Sequence, residues 1–206
     1  MKKGTIIILI LSLIFVVSCK NEKKETEQKT EITSIKKYVV TAEATSVEWT
    51  AYKTTEKKPV SGKFNVLNFE DKSGDSALEA LNNLSFSIPV SSIFSNKEER
   101  DAKLKKSFFE AMLDTEFLKG TLKQQNNSIV ASITMNGITH DLPLNLKITN
   151  ERQVTMTGTM LLKSWNALDA LESLNKACFD LHKGPDGVSK TWDDVAINIS
   201  TFLKEN

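Results

Sequence analysis

"SIVASITMNGITHDLPLNLKI", residues 128–148, decides how the rest of the chain is read. Ile129, Ala131, Ile133 and Met135 alternate with Val130, Ser132 and Thr134; beyond Asn136-Gly137, Leu142, Leu144, Leu146 and Ile148 repeat the pattern. Successive side chains of a strand point to opposite faces, so a period of two marks a strand with one face on an apolar interior and the other in water. Asn-Gly supplies the positive φ angles of a tight hairpin turn. The stretch therefore predicts two antiparallel strands turning at Asn136-Gly137. Pro143 has no N–H to give to a ladder, which predicts an edge, a bulge or loose pairing at that point.

The alternation extends in both directions. Val47, Trp49 and Ala51 carry it, as do Leu84, Phe86, Ile88 and Val90, then Val154, Met156, Met160 and Leu162 with Gly158 in the row, and Val195, Ile197 and Ile199. Many antiparallel strands with few helices imply a sandwich or a barrel. Two stretches read as helical. In "NKEERDAKLKKSFFEAM", residues 96–112, Ser95 and Glu98 fit a capping box and the helix runs towards Leu104. From Trp165 to Leu181, with Ser164 as N-cap, the residues Trp165, Leu168, Leu171, Leu174, Cys178 and Leu181 form one apolar stripe. The Gly184-Pro185-Asp186-Gly187 turn closes that region.

The N-terminus sets the expected compartment. Lys2 and Lys3 precede an apolar run from Thr5 to Val17 that is too short to span a membrane and reads as a secretory signal. Val16-Val17-Ser18-Cys19 resembles the lipobox of bacterial lipoproteins. Residues 1–18 are then a signal peptide, and Cys19 carries acyl chains, two or more of which hold a protein stably on a membrane. Cys178 is the other cysteine, so no internal disulfide is expected. Residues 19–37 are the acylated cysteine and a polar, flexible tether, since such a composition buries too little to offset chain entropy. Residues 38–206 have the length of one domain. An exported, membrane-anchored lipoprotein, periplasm-facing or in the outer membrane, is the location this predicts. A formal net charge of +1 gives no one-signed surface for a phosphate backbone, so no nucleic-acid partner is expected.

Four segments in register carry a resemblance: "VSGKF" at 60–64, "NKEERDAKLKKSFFEA" at 96–111, "ITMNGITHDLPLNLKI" at 133–148 and "TWDDVAINIS" at 191–200. In order and spacing, Tyr38 to Leu203 is similar to the YceI-like family. The resemblance implies a mainly β protein: an extended, antiparallel, lipocalin-like β-barrel of about eight strands, a size whose interior holds one small elongated ligand, with one or two short helices. It also implies non-catalytic binding of a polyisoprenoid, quinone-like or fatty acyl lipid. Phe64, Phe86, Ile88, Phe117, Met135, Met156 and Met160 are the candidate cavity lining, with Phe108 and Phe109 turned inward from residues 96–112. Arg100 and Lys103 are candidates to meet an anionic headgroup at the mouth. The 165–181 helix and the "HKGPDGVSK" loop depart from the family pattern and would cap, narrow or fill the barrel. A barrel filled by its own side chains, serving as a structural or protein-interaction module, is the alternative reading.

Catalytic chemistry finds little support. Cys178 and His182 are four apart, half a metal site, and His140 is the only other histidine; a zinc site needs a fuller ligand set. As a catalytic pair they lack a marked oxyanion donor. Asp193 and Asp194 are neighbours in a predicted strand and point to opposite faces. No glycine-rich phosphate loop is present. The expectation is no enzyme, no metal and no cofactor.

Overall fold

The computed structural model describes residues 37–206; the expected signal peptide, Cys19 and nearly all of the expected tether lie outside the described residues. The elements run β1 (Tyr38–Val39), β2 (Thr45–Lys53), β3 (Lys58–Phe64), β4 (Asn68–Phe69), β5 (Ser73–Gly74), α1 (Ala77–Leu81), β6 (Leu84–Pro89), β7 (Ile93–Phe94) and α2 (Glu98–Lys103). A π-helical turn (Leu104–Phe108) follows. Then come β8 (Phe117–Gln125), β9 (Ser128–Met135), β10 (Ile138–Thr149), β11 (Gln153–Leu161), α3 (Leu168–Ala177), β12 (Asp194–Phe202) and β13 (Lys204–Glu205).

Ten strands form one strongly curled antiparallel sheet, a half-barrel, in the order β4-β6-β8-β9-β10-β11-β12-β2-β3-β7. Two of the ten, β4 and β7, are two residues long, which leaves eight long strands to build the wall. Strand β6 lies beside one edge of the sheet and β7 forms the other, yet only Val90–Ser92 separates them. The chain itself therefore laces the seam, and the Asn65 N–H donates to the Ser92 carbonyl at 3.0 Å.

The hairpin at Asn136-Gly137 forms as its sequence dictates. Asn136 has φ 52° and Gly137 φ 70°, and Ile138 faces Met135 across the turn. Pro143 sits where β10 changes partners: it pairs with β9 over Ile138–Leu144 and with β11 only from Asn145 onward. The missing donor thus falls where the second ladder has not yet begun.

Both open ends of the curl are covered. At one end α1 and a small sheet, β13-β1-β5, bury Val40, Leu81 and Leu203. At the other, α3 packs against the π-helical turn after α2. A single apolar cluster runs through the interior. The compact unit that holds the described residues contains this whole cluster.

Three helical expectations are corrected. The capping box falls elsewhere: Ser76 Oγ accepts from the Glu79 N–H at 3.2 Å while Glu79 accepts from the Asp75 N–H at 2.9 Å, starting α1, a third helix too short to show periodicity. Ser95 instead donates its N–H and hydroxyl to the buried Asp101 carboxylate, at 2.9 and 2.5 Å. Ser164 is not an N-cap. Residues 162–165 form a 3-10 turn, Asn166 adopts the left-handed conformation (φ 50°), and α3 begins only at Leu168. That break rotates the helix relative to an unbroken one. Leu168 and Leu181 end up exposed, and Ala167, Ala170, Leu174 and Cys178 form the buried face.

Gly62, the glycine of "VSGKF", lies under Trp49. A Cβ there would stand 2.3 Å from Trp49 Cζ2 and 2.7 Å from the Phe94 carbonyl oxygen. Gly62→Val should destabilise the domain by about 1–3 kcal/mol through this overpacking, measured by urea unfolding; an unchanged midpoint would contradict the packing described.

Candidate functional site

The inward rows meet in register. Trp49 faces Ile197 and Val47 faces Ile199; Met156 faces Ile199 and Met160 faces Val195; Leu142 faces Ala131. Together they enclose an apolar chamber of ≈ 180 Å³. Of the lining residues expected from the sequence, Phe64, Phe86, Ile88, Phe108, Phe109, Met135, Met156 and Met160 all stand on the chamber wall. Phe117 does not. It opens β8 in the outward phase, while Leu118 and Leu122 of the same strand point inward, and Lys119 Nζ lies 5.6 Å from the centre of its ring. The Leu118–Leu122 spacing, with Gly120 between, was the signal that sets this phase.

The covered end is built by segments whose contribution depends on tertiary placement. Leu171 and Leu174 of α3, and Leu104 of the π-helical turn, join Phe108 and Phe109 in the wall. A π-helical turn is wider than an α-helical one and often marks a functional site. Here it presents Leu104 and Phe108 to the chamber, and Phe109 follows at the start of a 3-10 turn (Phe109–Ala111). The two rings meet edge to face, 5.1 Å apart at 76°, a favoured aromatic geometry. Trp165 seals the adjoining corner, donating its indole N–H to the Ile133 carbonyl at 2.9 Å. Trp49 also lines the chamber, and its Nε1 is buried with no hydrogen-bond partner among the described residues.

Beside α3 the wall is backed by a polar cluster. Thr191 and Trp192 line the chamber. The Thr191 hydroxyl is 2.6 Å from His182 Nδ1 and 2.8 Å from Asn175 Oδ1, and Ser189 donates to the same Asn175 oxygen at 3.3 Å. Lys53 Nζ donates to the Leu181 carbonyl at 3.0 Å. Burial pushes the Cys178 thiol up, with Lys103 and Lys53 pulling weakly the other way. Burial first, then Lys53 and Lys103, lower His182 from its ordinary 6.5 to about 4. At neutral pH the pair is thus a thiol and a neutral imidazole, not a thiolate and an imidazolium, and a protonated thiol is a poor nucleophile. No group of three or more His, Cys, Asp or Glu that could hold a metal ion occurs among the described residues. Of the two cations expected at the mouth, Lys103 acts on this cluster, whereas Arg100 Nη1 donates to the Ser95 carbonyl at 3.5 Å.

A curled antiparallel wall around an apolar chamber, closed by helices at one end, defines a lipocalin-like half-barrel. The chain belongs to the YceI-like domain family, which it matches over residues 38–203. Among solved structures it is similar to a polyisoprenoid binding domain from Saccharophagus degradans implicated in plant cell wall breakdown. The identity is 12%, the TM-score 0.61, and the match covers 82% of this chain and 98% of that one. It is also similar to BcnA of Burkholderia cenocepacia, at 16% identity and TM-score 0.52, covering 80% and 98%. At these identities the likeness concerns the fold. No curated protein matches the chain.

His182 gives a pH signature. Its folded pKa lies below its unfolded one, so between about 6.5 and about 4 the unfolded chain binds the extra proton. The stability it contributes is complete above pH 6.5 and is lost as pH falls towards 4. The urea midpoint should drop across that window, and His182→Asn should flatten the drop; an equal slope in both proteins would contradict a buried neutral imidazole.

Proposed function

We propose that the protein binds and carries an isoprenoid or similar single-chain lipid, without catalysis, at the cell envelope, where acylated Cys19 fixes it beside the membrane that supplies the ligand. The enclosed apolar chamber carries this reading. Each CH₂ moved from water into such a chamber gains about 0.8 kcal/mol, and Met135, Met156 and Met160 supply side chains that reshape around an irregular tail. Membership of the YceI-like family supports it, as does the likeness to a polyisoprenoid binding domain.

The closed chamber is small. Its ≈ 180 Å³ is close to the roughly 150 Å³ of an engineered cavity that takes one benzene, and below the roughly 300–1,000 Å³ of ligand pockets. A long tail is admitted only if the π-helical turn and α3 move outward, so these two segments are the proposed gate. The same volume favours a second reading, a barrel filled by its own side chains that serves as an interaction module.

Thermal unfolding of residues 35–206 with and without a polyprenyl quinone separates the two. Saturating ligand at about 100 times Kd stabilises by about 2.7 kcal/mol, and about 2–4 °C per kcal/mol is expected for a domain of this size. A rise of about 5–10 °C, with a co-purifying lipid in the native mass spectrum, is the expected result. No shift and a clean apo mass would overturn lipid binding. Cys19→Ala should move the full chain from the membrane to the soluble fraction, and unchanged fractionation would contradict the anchor.

A further inference from the structure

The outer face of the wall carries an aligned row of side chains that the interior does not use. Register places Asn145 opposite Thr157, Thr157 opposite Asn198, Asn198 opposite Glu48, Glu48 opposite Lys63 and Lys63 opposite Phe94. The row crosses six strands, β10, β11, β12, β2, β3 and β7, and every residue in it is exposed. Neighbouring strands lie about 4.8 Å apart, so the row is about 24 Å long. A second row runs beside it through Thr159, Ala196, Thr50 and Ser61. Both rows floor an open hollow of ≈ 820 Å³, within the roughly 300–1,000 Å³ of ligand pockets.

The chemistry of this floor restricts what can lie on it. Its threonine, serine and asparagine side chains offer hydroxyl and amide donors and acceptors, and short side chains lose little rotamer freedom when a ligand orders them. Thr50 bonds Ser61 at 2.8 Å and Asn198 Nδ2 donates to Glu48 at 3.3 Å. Among the described residues, Asn145, Thr157 and Thr159 use none of this side-chain capacity within the protein. Glu48 and Lys63 are the only charges in the two rows, directly opposite one another, so the floor is neutral. Neither row holds an aliphatic side chain larger than alanine. At one end Phe94 presents a ring that is 39% exposed. An apolar tail finds too little apolar surface here, and a polyanion finds no one-signed field. A polyhydroxylated chain matches: its hydroxyls pair with the amides and hydroxyls, and the C–H face of a pyranose packs on the aromatic ring.

We propose that this outer hollow binds a neutral, linear glycan, laid across the strands along the row from Asn145 to Phe94, with a terminal pyranose against the Phe94 ring. The site does not rest on the lipid reading. Its side chains point outward, while Val47, Trp49, Ile197 and Ile199 of the same strands point into the chamber.

The test is calorimetric titration of the full chain in detergent solution with chitohexaose and cellohexaose, both neutral and linear, and with hexagalacturonate, which carries a carboxylate on every sugar. At least one neutral chain should bind, and by at least about tenfold more tightly than hexagalacturonate, equivalent to about 1.4 kcal/mol. Thr157→Lys sets a long cation on the floor at an exposed position, and Phe94→Ala removes the ring. Each should weaken binding by at least about tenfold while the thermal unfolding midpoint holds. Lys123→Ala, on the outward face of β8 and away from the hollow, should change nothing. If Phe94→Ala lowers the midpoint, Thr157→Lys decides alone. Failure of both neutral chains to bind overturns the site, as does wild-type affinity in a folded Thr157→Lys protein. Hexagalacturonate binding as tightly as the neutral chain overturns it too.

Discussion

The structure depends on keeping water away from a continuous apolar surface on the concave side of a curled sheet. Period-two alternation in eight long strands puts that surface on the inside, and hydrogen bonding between neighbours holds it there. A wall of this kind is stable only when its two open ends and its seam are covered. Each remaining element has such a task. The Val90–Ser92 connection laces the seam, α1 and the small β13-β1-β5 sheet bury Val40, Leu81 and Leu203 at one end, and the π-helical turn and α3 close the other.

The two closures differ in kind, and the difference bears on function. At the α1 end the covering residues are fully buried aliphatics: Leu81 and Leu203 are 0% exposed. At the α3 end the covering segments are short and broken. The backbone passes from α2 through a π-helical to a 3-10 turn, and across from it α3 is set off by left-handed Asn166 on one side and another 3-10 turn, Phe179–His182, on the other. His182, Thr191 and Asn175 form a hydrogen-bonded polar cluster there. The proposed gate lies at this end, where the covering helices change type or break within a few residues.

Much of this was legible in the sequence. The alternating rows, the Asn136-Gly137 turn and the interruption at Pro143 follow from local stereochemistry, and the structure places each where the residues require. Features fixed by tertiary context were not legible. Helix α1 is five residues long and leaves no periodic trace. The Trp165–Leu181 stripe reads as continuous because hydrophobic spacing does not register a single left-handed residue; the break at Asn166 leaves Leu168 exposed, while Leu171, Leu174 and Cys178 still face inward. Phe117 was placed inside for being aromatic, although the Leu118–Leu122 row fixes the opposite phase. His182, Thr191 and Asn175 meet only in the fold, so no sequence pattern joins them. Most of the chamber wall could be read from alternation, but the polar cluster behind Thr191 needed the fold.

The most direct test of an interior that receives a lipid tail is methyl NMR with labelled methionine. Met135, Met156 and Met160 line the chamber, while Met112 is buried outside it, just past Phe109 on the covering segment, and reports whether that segment moves. On titration with a polyprenyl ligand, the account predicts large shifts and ligand contacts at the three lining methyls, and a shift without ligand contact at Met112. Uniformly small shifts, or ligand contacts confined to surface groups, would contradict it.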